Sequence, residues 1–151
     1  MRKIDPAQLW ALNYRMTLSV MASVAPAIRA FALEMKELFL LASIEEHPHP
    51  ADLARALLMP KPTVTVLVKR LEAAGYLRRE IDAADLRRYR LRLTAAGKKA
   101  RTRGLALLSR AFGERLARLT VLEQTQLRAL VEKMSADDEG NFGHAPKRRS
   151  S

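Results

Sequence analysis

Apolar positions recur every three or four residues along most of this chain, and only between Leu77 and Leu93 does the period shorten to two. Leu9, Leu12, Met16, Val20, Val24 and Ile28 form one such row, which predicts a long first helix running to about Phe31. Its start is written in Asp5-Pro6-Ala7-Gln8: Asp5 suits a cap, Pro6 the first helical position, and Gln8 a side chain that reaches back to the cap backbone. Pro26 lacks an amide hydrogen and is expected to bend or cut this helix. Met35 to Ile44 is almost wholly apolar after Lys36 and Glu37, as a buried central helix requires, and His47-Pro48-His49-Pro50 ends it.

The next two elements are short helices in tandem. Pro50 to Leu58 turns Leu53, Ala54, Leu57 and Leu58 inward, and Met59-Pro60-Lys61 makes the turn into a second helix with Pro62 near its first position. In that second helix Val64, Leu67, Val68 and Leu71 share one face, Thr63, Thr65, Val66, Lys69 and Arg70 occupy the others, and Gly75 suits a left-handed stop. Leu77, Arg79 and Ile81 then alternate with Arg78, Glu80 and Asp82. After a turn at Ala83 to Leu86, Tyr89, Leu91 and Leu93 alternate with Arg88, Arg90 and Arg92, predicting a two-stranded hairpin with an apolar and a cationic face. Thr94 caps another helix, whose stripe is Leu105, Leu108, Phe112, Leu116 and Leu119. Thr120 and Glu123 form a capping box for the last, Val121 to about Ser135, which presents Leu122, Leu127, Leu130, Val131 and Met134. Ala136 to Ser151 is polar and is expected to be disordered.

The fold class implied is mainly α with a two-stranded β wing: a winged helix-turn-helix flanked by N- and C-terminal helices that form a dimerisation layer. Residues 1–136 are expected to make a single domain, with the helix-turn-helix and hairpin lobe at about 50–97 and a tail at 137–151. The helices at about 5–31 and 98–136 carry apolar stripes that one small lobe could not cover and are therefore expected to dimerise. A chain of 151 residues with 48% apolar content can bury a core unaided, and the absence of Cys removes disulfides, thiolate zinc sites and Cys nucleophiles. No apolar run reaches membrane-spanning length, and the N-terminus does not read as an export signal, so a cytoplasmic location is expected.

Charge then identifies a partner. Of the formal +11, a balance of +9 falls between Lys61 and Arg103, where thirteen Lys/Arg face Glu72, Glu80, Asp82 and Asp85. That basic third coincides with the helix-turn-helix and hairpin, which makes double-stranded DNA the expected ligand. A helix entering the major groove needs an apolar face on its scaffold and small or hydrogen-bonding groups on the other. Thr63 and Thr65 allow close approach, Val66 suits a thymine methyl, and Lys61, Lys69 and Arg70 lie where phosphates are reachable. Arg87, Arg88 and Arg90 are the wing's candidates for phosphates or the minor groove. The competing readings are a nonspecific architectural DNA binder and a winged helix that binds protein.

The segments Pro50-Ala-Asp-Leu-Ala-Arg-Ala-Leu, Lys61-Pro-Thr-Val-Thr-Val-Leu-Val-Lys-Arg-Leu-Glu-Ala-Ala-Gly-Tyr-Leu-Arg-Arg and Asp85-Leu-Arg-Arg-Tyr-Arg-Leu-Arg-Leu-Thr-Ala-Ala-Gly resemble, in order and spacing, those of the multiple-antibiotic-resistance regulator (MarR) family. The family's wing signature maps onto Asp85, Arg87, Leu93, Thr94 and Gly97. Departures are Leu86 for a frequent basic residue, Val66 for an Arg, and Ala32 and Glu34 for a common Gly and Thr. The resemblance implies a bacterial homodimeric repressor on a pseudo-palindromic operator, released by a small anionic aromatic effector. It places Lys61, Pro62, Thr63, Thr65, Val66, Lys69, Arg70, Asp85, Arg87, Arg88 and Arg90 at the DNA, Asp85 holding the wing's Arg side chains and Arg87 touching DNA.

Other constellations are weaker. His47 and His49 near Glu45 and Glu46 hint at a metal site, but in a Pro-broken loop they read as solvated histidines, and no metal or cofactor is assigned. No nucleophile-base order or Gly-rich phosphate loop emerges, so the chain is not read as an enzyme. Trp10 and Tyr14, one turn apart, suit dimer or core packing more than an effector cavity. Arg15 and Arg29 are the only basic residues between Ile4 and Met35. Arg15 is the candidate partner for an effector carboxylate.

Overall fold

The computed structural model describes residues 3–136. Its elements run α1 (Pro6–Arg29), α2 (Met35–Ser43), α3 (Pro50–Ala56), α4 (Lys61–Ala73), β1 (Leu77–Ile81), β2 (Tyr89–Leu93), α5 (Ala95–Leu116) and α6 (Val121–Met134). This is a winged helix-turn-helix between terminal helices. Residues 137–151, expected to be disordered, lie outside the described residues. Among the described residues no helix is long and apolar enough to cross a membrane.

The predicted cap residues form their bonds, except that Gln8 does not reach back to the cap backbone of α1. The Asp5 carboxylate accepts from the Ala7 amide at 2.9 Å, Thr94 accepts from Gly97, and Thr120 and Glu123 close their reciprocal box. Pro26 does not cut α1, which continues to Arg29. One missing amide hydrogen is tolerated there because the neighbouring face, Val24 and Ile28, is buried.

The core gathers Val20, Val24 and Ile28 of α1, Leu38, Leu40 and Leu41 of α2, Leu53 of α3, all four predicted α4 residues and Leu77, Leu91 and Leu93 of the hairpin. Three expectations fail here. Leu58 is 76% exposed rather than inward, because it takes a left-handed φ of 51° and α3 ends two residues early, and Ala56 is buried instead. Ile81 and Tyr89 face each other at the hairpin's outer end but are exposed, so only its base has an apolar underside. His47 and His49 are half-buried rather than solvated.

The wing is fastened at its base by the backbone. Leu91 donates to the Pro48 carbonyl at 2.7 Å, Thr94 donates through its hydroxyl to the Gly75 carbonyl at 2.6 Å, and the Tyr76 hydroxyl donates to the Phe31 carbonyl. Gly75 has the predicted left-handed φ, 77°. Gly97 answers to a different need: a Cβ there would stand 1.9 Å from the Tyr76 carbonyl oxygen, so only glycine lets α5 start this close to the wing.

Candidate nucleic-acid interface

The buried row of α4 fixes which of its side chains look outward. With Val64, Leu67, Val68 and Leu71 against the core, Lys61, Pro62, Thr65, Val66, Lys69 and Arg70 are exposed and Thr63 is half-buried. Val66 is 56% exposed, an apolar group held out on a polar face. The Thr65 hydroxyl donates to the Lys61 carbonyl at 3.0 Å, which commits its proton inside the helix and leaves its lone pairs and methyl outward.

Ion pairing divides the cations into two sets. Glu80 is bound by Arg78 of its own strand at 2.9 Å and by Arg92 across the hairpin at 2.5 Å, and Arg79 binds Glu72 at 3.0 Å while stacking over Tyr89. Removal of Glu80 from water opposes ionisation, yet the hydrogen bonds from Arg92 and Arg78 prevail and hold its carboxyl below its ordinary value. Arg101 similarly holds Glu45 low, through a hydrogen bond that outweighs desolvation. Among the described residues, Lys61, Lys69 and Arg87 have no acidic partner.

The other expected site residues are partly engaged with the protein. Arg70 puts Nε 3.2 Å from a carboxylate oxygen of Glu37, which is 1% exposed and also accepts from the Glu34 amide. The pair ties α4 to α2. Asp85 accepts the backbone amide of Arg87 at 3.0 Å, and its carbonyl accepts the Arg88 amide, so this carboxylate shapes the wing loop through the main chain. Arg87 is exposed, Arg88 stands 3.9 Å from Asp52, and the Nε of Arg90 is shielded from solvent without a hydrogen-bond partner. The structure thus brings Lys61, Thr65, Val66 and Lys69 onto one helix face with Arg87 on the neighbouring wing, while Arg70 is exposed but paired with Glu37 and Arg90 holds its Nε inside the protein.

Two side chains outside that set escaped the sequence. Glu37 reads as the polar edge of a helix, and its partner lies 33 positions away. His49 contacts Asp82 and the Tyr89 carbonyl, linking the α3 cap to the wing. The Pro-broken histidine loop was the only sequence signal for the second of these, and the first had none.

Two cavities flank α1. One, of about 570 Å³, is walled by Met16, Val20, Phe39, Leu105, Leu108 and Phe112. The other, of about 560 Å³, runs between α1, the end of α5 and α6, and is lined by Arg15, Arg115 and Arg118 beside Leu12, Phe112 and Leu127. Arg115 there donates to Ser19 at 2.9 Å and to the Ala111 carbonyl. Trp10 and Tyr14 stack with centroids 6.0 Å apart but are exposed.

Comparison with known proteins places these features. The MarR family profile matches residues 33–88, from before α2 to the end of the wing loop. The transcriptional repressor Rv2887 of Mycobacterium tuberculosis is 28% identical over 135 residues, covering 88% of this chain and 97% of the repressor. Its structure in complex with p-aminosalicylic acid superimposes with a TM-score of 0.67 at 27% identity, covering 84% of this chain and 98% of that one. The Escherichia coli transcriptional regulator HosA is 38% identical over 82 residues, 54% of this chain and 61% of HosA. Staphylococcus aureus MepR, solved in complex with DNA, shares the fold at TM-score 0.72 and 21% identity, over 89% of this chain and 98% of MepR.

Proposed function

We propose, from its likeness to the MarR family profile and to the repressor Rv2887, that this chain is a MarR-type transcriptional regulator, a sequence-specific homodimeric repressor whose DNA is released by a small-molecule effector. The observation that carries this reading is the division of cations within one lobe. Arginines bound to Glu37, Glu72 and Glu80 build the scaffold, whereas Lys61 and Lys69 on α4 and Arg87 on the wing have no such partner and are left for phosphates. Between the two lysines, Thr65 and Val66 suit base edges and thymine methyls, with Thr63 beside them and Pro62 stiffening the first turn. Asp85 orders the loop that carries Arg87 and Arg88. Residues 50–97 act as the reading lobe, and the helices within 5–31 and 98–136 join two copies.

Surface chemistry supports the dimer. Leu9, Leu12 and Met16 of α1, and Leu122, Leu130, Val131 and Met134 of α6, are exposed in a single chain. So many apolar groups on adjoining helices call for a cover, and a second copy supplies one by two-fold symmetry. Paired lobes then address two major-groove half-sites about one helical turn apart, the geometry of a pseudo-palindromic operator. An anionic aromatic effector fits a site beside α1, where Arg15 offers a carboxylate partner and the adjoining cavity offers apolar walls. It would act by altering the separation of the two α4 helices.

Selection from a pool of random duplexes tests the reading. A repressor enriches a pseudo-palindrome; enrichment of A·T content alone would mark an architectural protein, and no binding would mark a protein-interaction module.

A further inference from the structure

His49 caps α3 from the loop that precedes it, and both of its ring nitrogens face oxygen. Nδ1 lies 3.2 Å from the Tyr89 carbonyl at the start of β2, and Nε2 lies 3.1 Å from the Asp82 carboxylate at the end of β1. A carbonyl and a carboxylate accept only, so both contacts are hydrogen bonds only when the ring carries two protons, as the imidazolium. A neutral ring sets one lone pair against an oxygen. Asp82 is itself built in: it is 8% exposed, its other oxygen accepts the Ala84 amide at 3.0 Å, and its backbone amide donates to the Arg88 carbonyl.

The surrounding charges leave this pair to itself. Asp52, in the first turn of α3, is taken by Arg55 and approached by Arg88; Glu45 is taken by Arg101; Asp85 is turned to the Arg87 amide. His47, two residues before His49, and Arg90, next to Tyr89, each hold a solvent-shielded nitrogen without a hydrogen-bond partner. The N-terminus of α3 opposes a positive ring, and Asp82 is the anion that offsets it.

We propose that His49 and Asp82 are positioning residues for the wing, forming a clasp that closes when His49 is doubly protonated and that presents Arg87 to DNA. Loss of one of the two ring protons opens one side of the clasp and loosens the hold of the α3 cap on residues 82–88, so DNA binding weakens as pH rises. The inference rests on the DNA-reading role proposed above, and its test therefore begins with a measurement that needs no DNA.

Nitrogen-15 NMR of the whole protein, with amide exchange of residues 83–88, is recorded between about pH 5.5 and about pH 8, the interval over which histidine changes charge. Both His49 nitrogens are expected to be protonated at the acidic end, with wing-loop exchange slowing together with that signal. A singly protonated ring throughout, or loop exchange that ignores its titration, overturns the clasp. Affinity for a selected duplex is expected to fall about fivefold more across the interval in the native protein than in His49→Gln, the size of one charge-assisted hydrogen bond partly open to water. Asp82→Asn, which keeps the cap of Ala84, is expected to flatten the profile in the same way, and an unchanged profile in this variant also overturns it. Loss of all DNA binding with the NMR titration intact would reject the DNA-reading role and leave the clasp standing.

Discussion

The lobe from α2 to β2 and the terminal helices α1 and α6 are built from similarly apolar rows, yet they end up in opposite states. In the lobe, Leu38, Leu53, Val64, Leu71 and Leu91 are each no more than 1% exposed, and polar groups that enter the interior bring partners with them, as Glu37 does with Arg70. In α6 no residue is buried, and α1 is buried only from Val20 onward. Helical period therefore says that a row has a face, and only tertiary structure says whether one chain can cover it. The lobe is covered within one chain; the terminal layer leaves apolar side chains exposed, the face that the proposed dimer would cover.

Truncating the core breaks the comparison on its complete side and carries the largest effect. Leu71→Ala should cost about 2–5 kcal/mol in denaturant titration, at every protein concentration. Leu122→Ala, on the incomplete side, should destabilise at high protein concentration by an amount that fades on dilution below the dimer dissociation constant, because the loss falls on association.

A charge in the terminal layer comes next. Leu12→Asp or Leu130→Asp should raise the dimer dissociation constant about a hundredfold or more, since an unpaired carboxylate would have to be buried between chains. The α4 and wing fold should survive, measured by circular dichroism alongside sedimentation.

Smaller effects separate the two sets of cations. Arg87→Ala should weaken operator binding and lower the salt-dependence slope by about one, without loss of dimer. Asp85→Ala should also weaken binding although it removes a negative charge, because the loop loses the bond to the Arg87 amide and must be ordered on DNA. Anisotropy titration over a salt series reads both, and tighter binding by Asp85→Ala with a neutral Arg87→Ala would contradict an organised wing.

The smallest effect is on acidification. Arg92 and Arg78 hold the Glu80 carboxyl low, so its contribution is present above the ordinary carboxylate range, near pH 4, and is lost as pH falls through its lowered folded value. Amide exchange in β1 and β2 should quicken there before exchange in α2 and α4.

Much of the fold was legible in advance because it depends on near neighbours in sequence. Val64, Leu67, Val68 and Leu71 share a face by helical geometry, Thr94 and Thr120 cap because helix-forming residues come directly after them, and the change to period two locates the wing. The features that escaped depend on distant residues or on backbone detail. Leu58 looked inward until a left-handed residue ended α3 early. Arg70 looked free for phosphate, but its carboxylate partner sits on another helix. His47 and His49 looked solvated because their cover, the start of β2 and the end of β1, arrives some forty residues later. The exposed face of α4 followed from the sequence, while which arginines are already engaged did not.

Sedimentation of the protein on a duplex carrying its selected site tests the central claim most directly, that a lobe complete in one chain reads DNA through a layer completed by two. Two chains per duplex are predicted, with Leu130→Asp reducing both pairing and affinity. A single folded chain bound as tightly as the native protein would contradict the account.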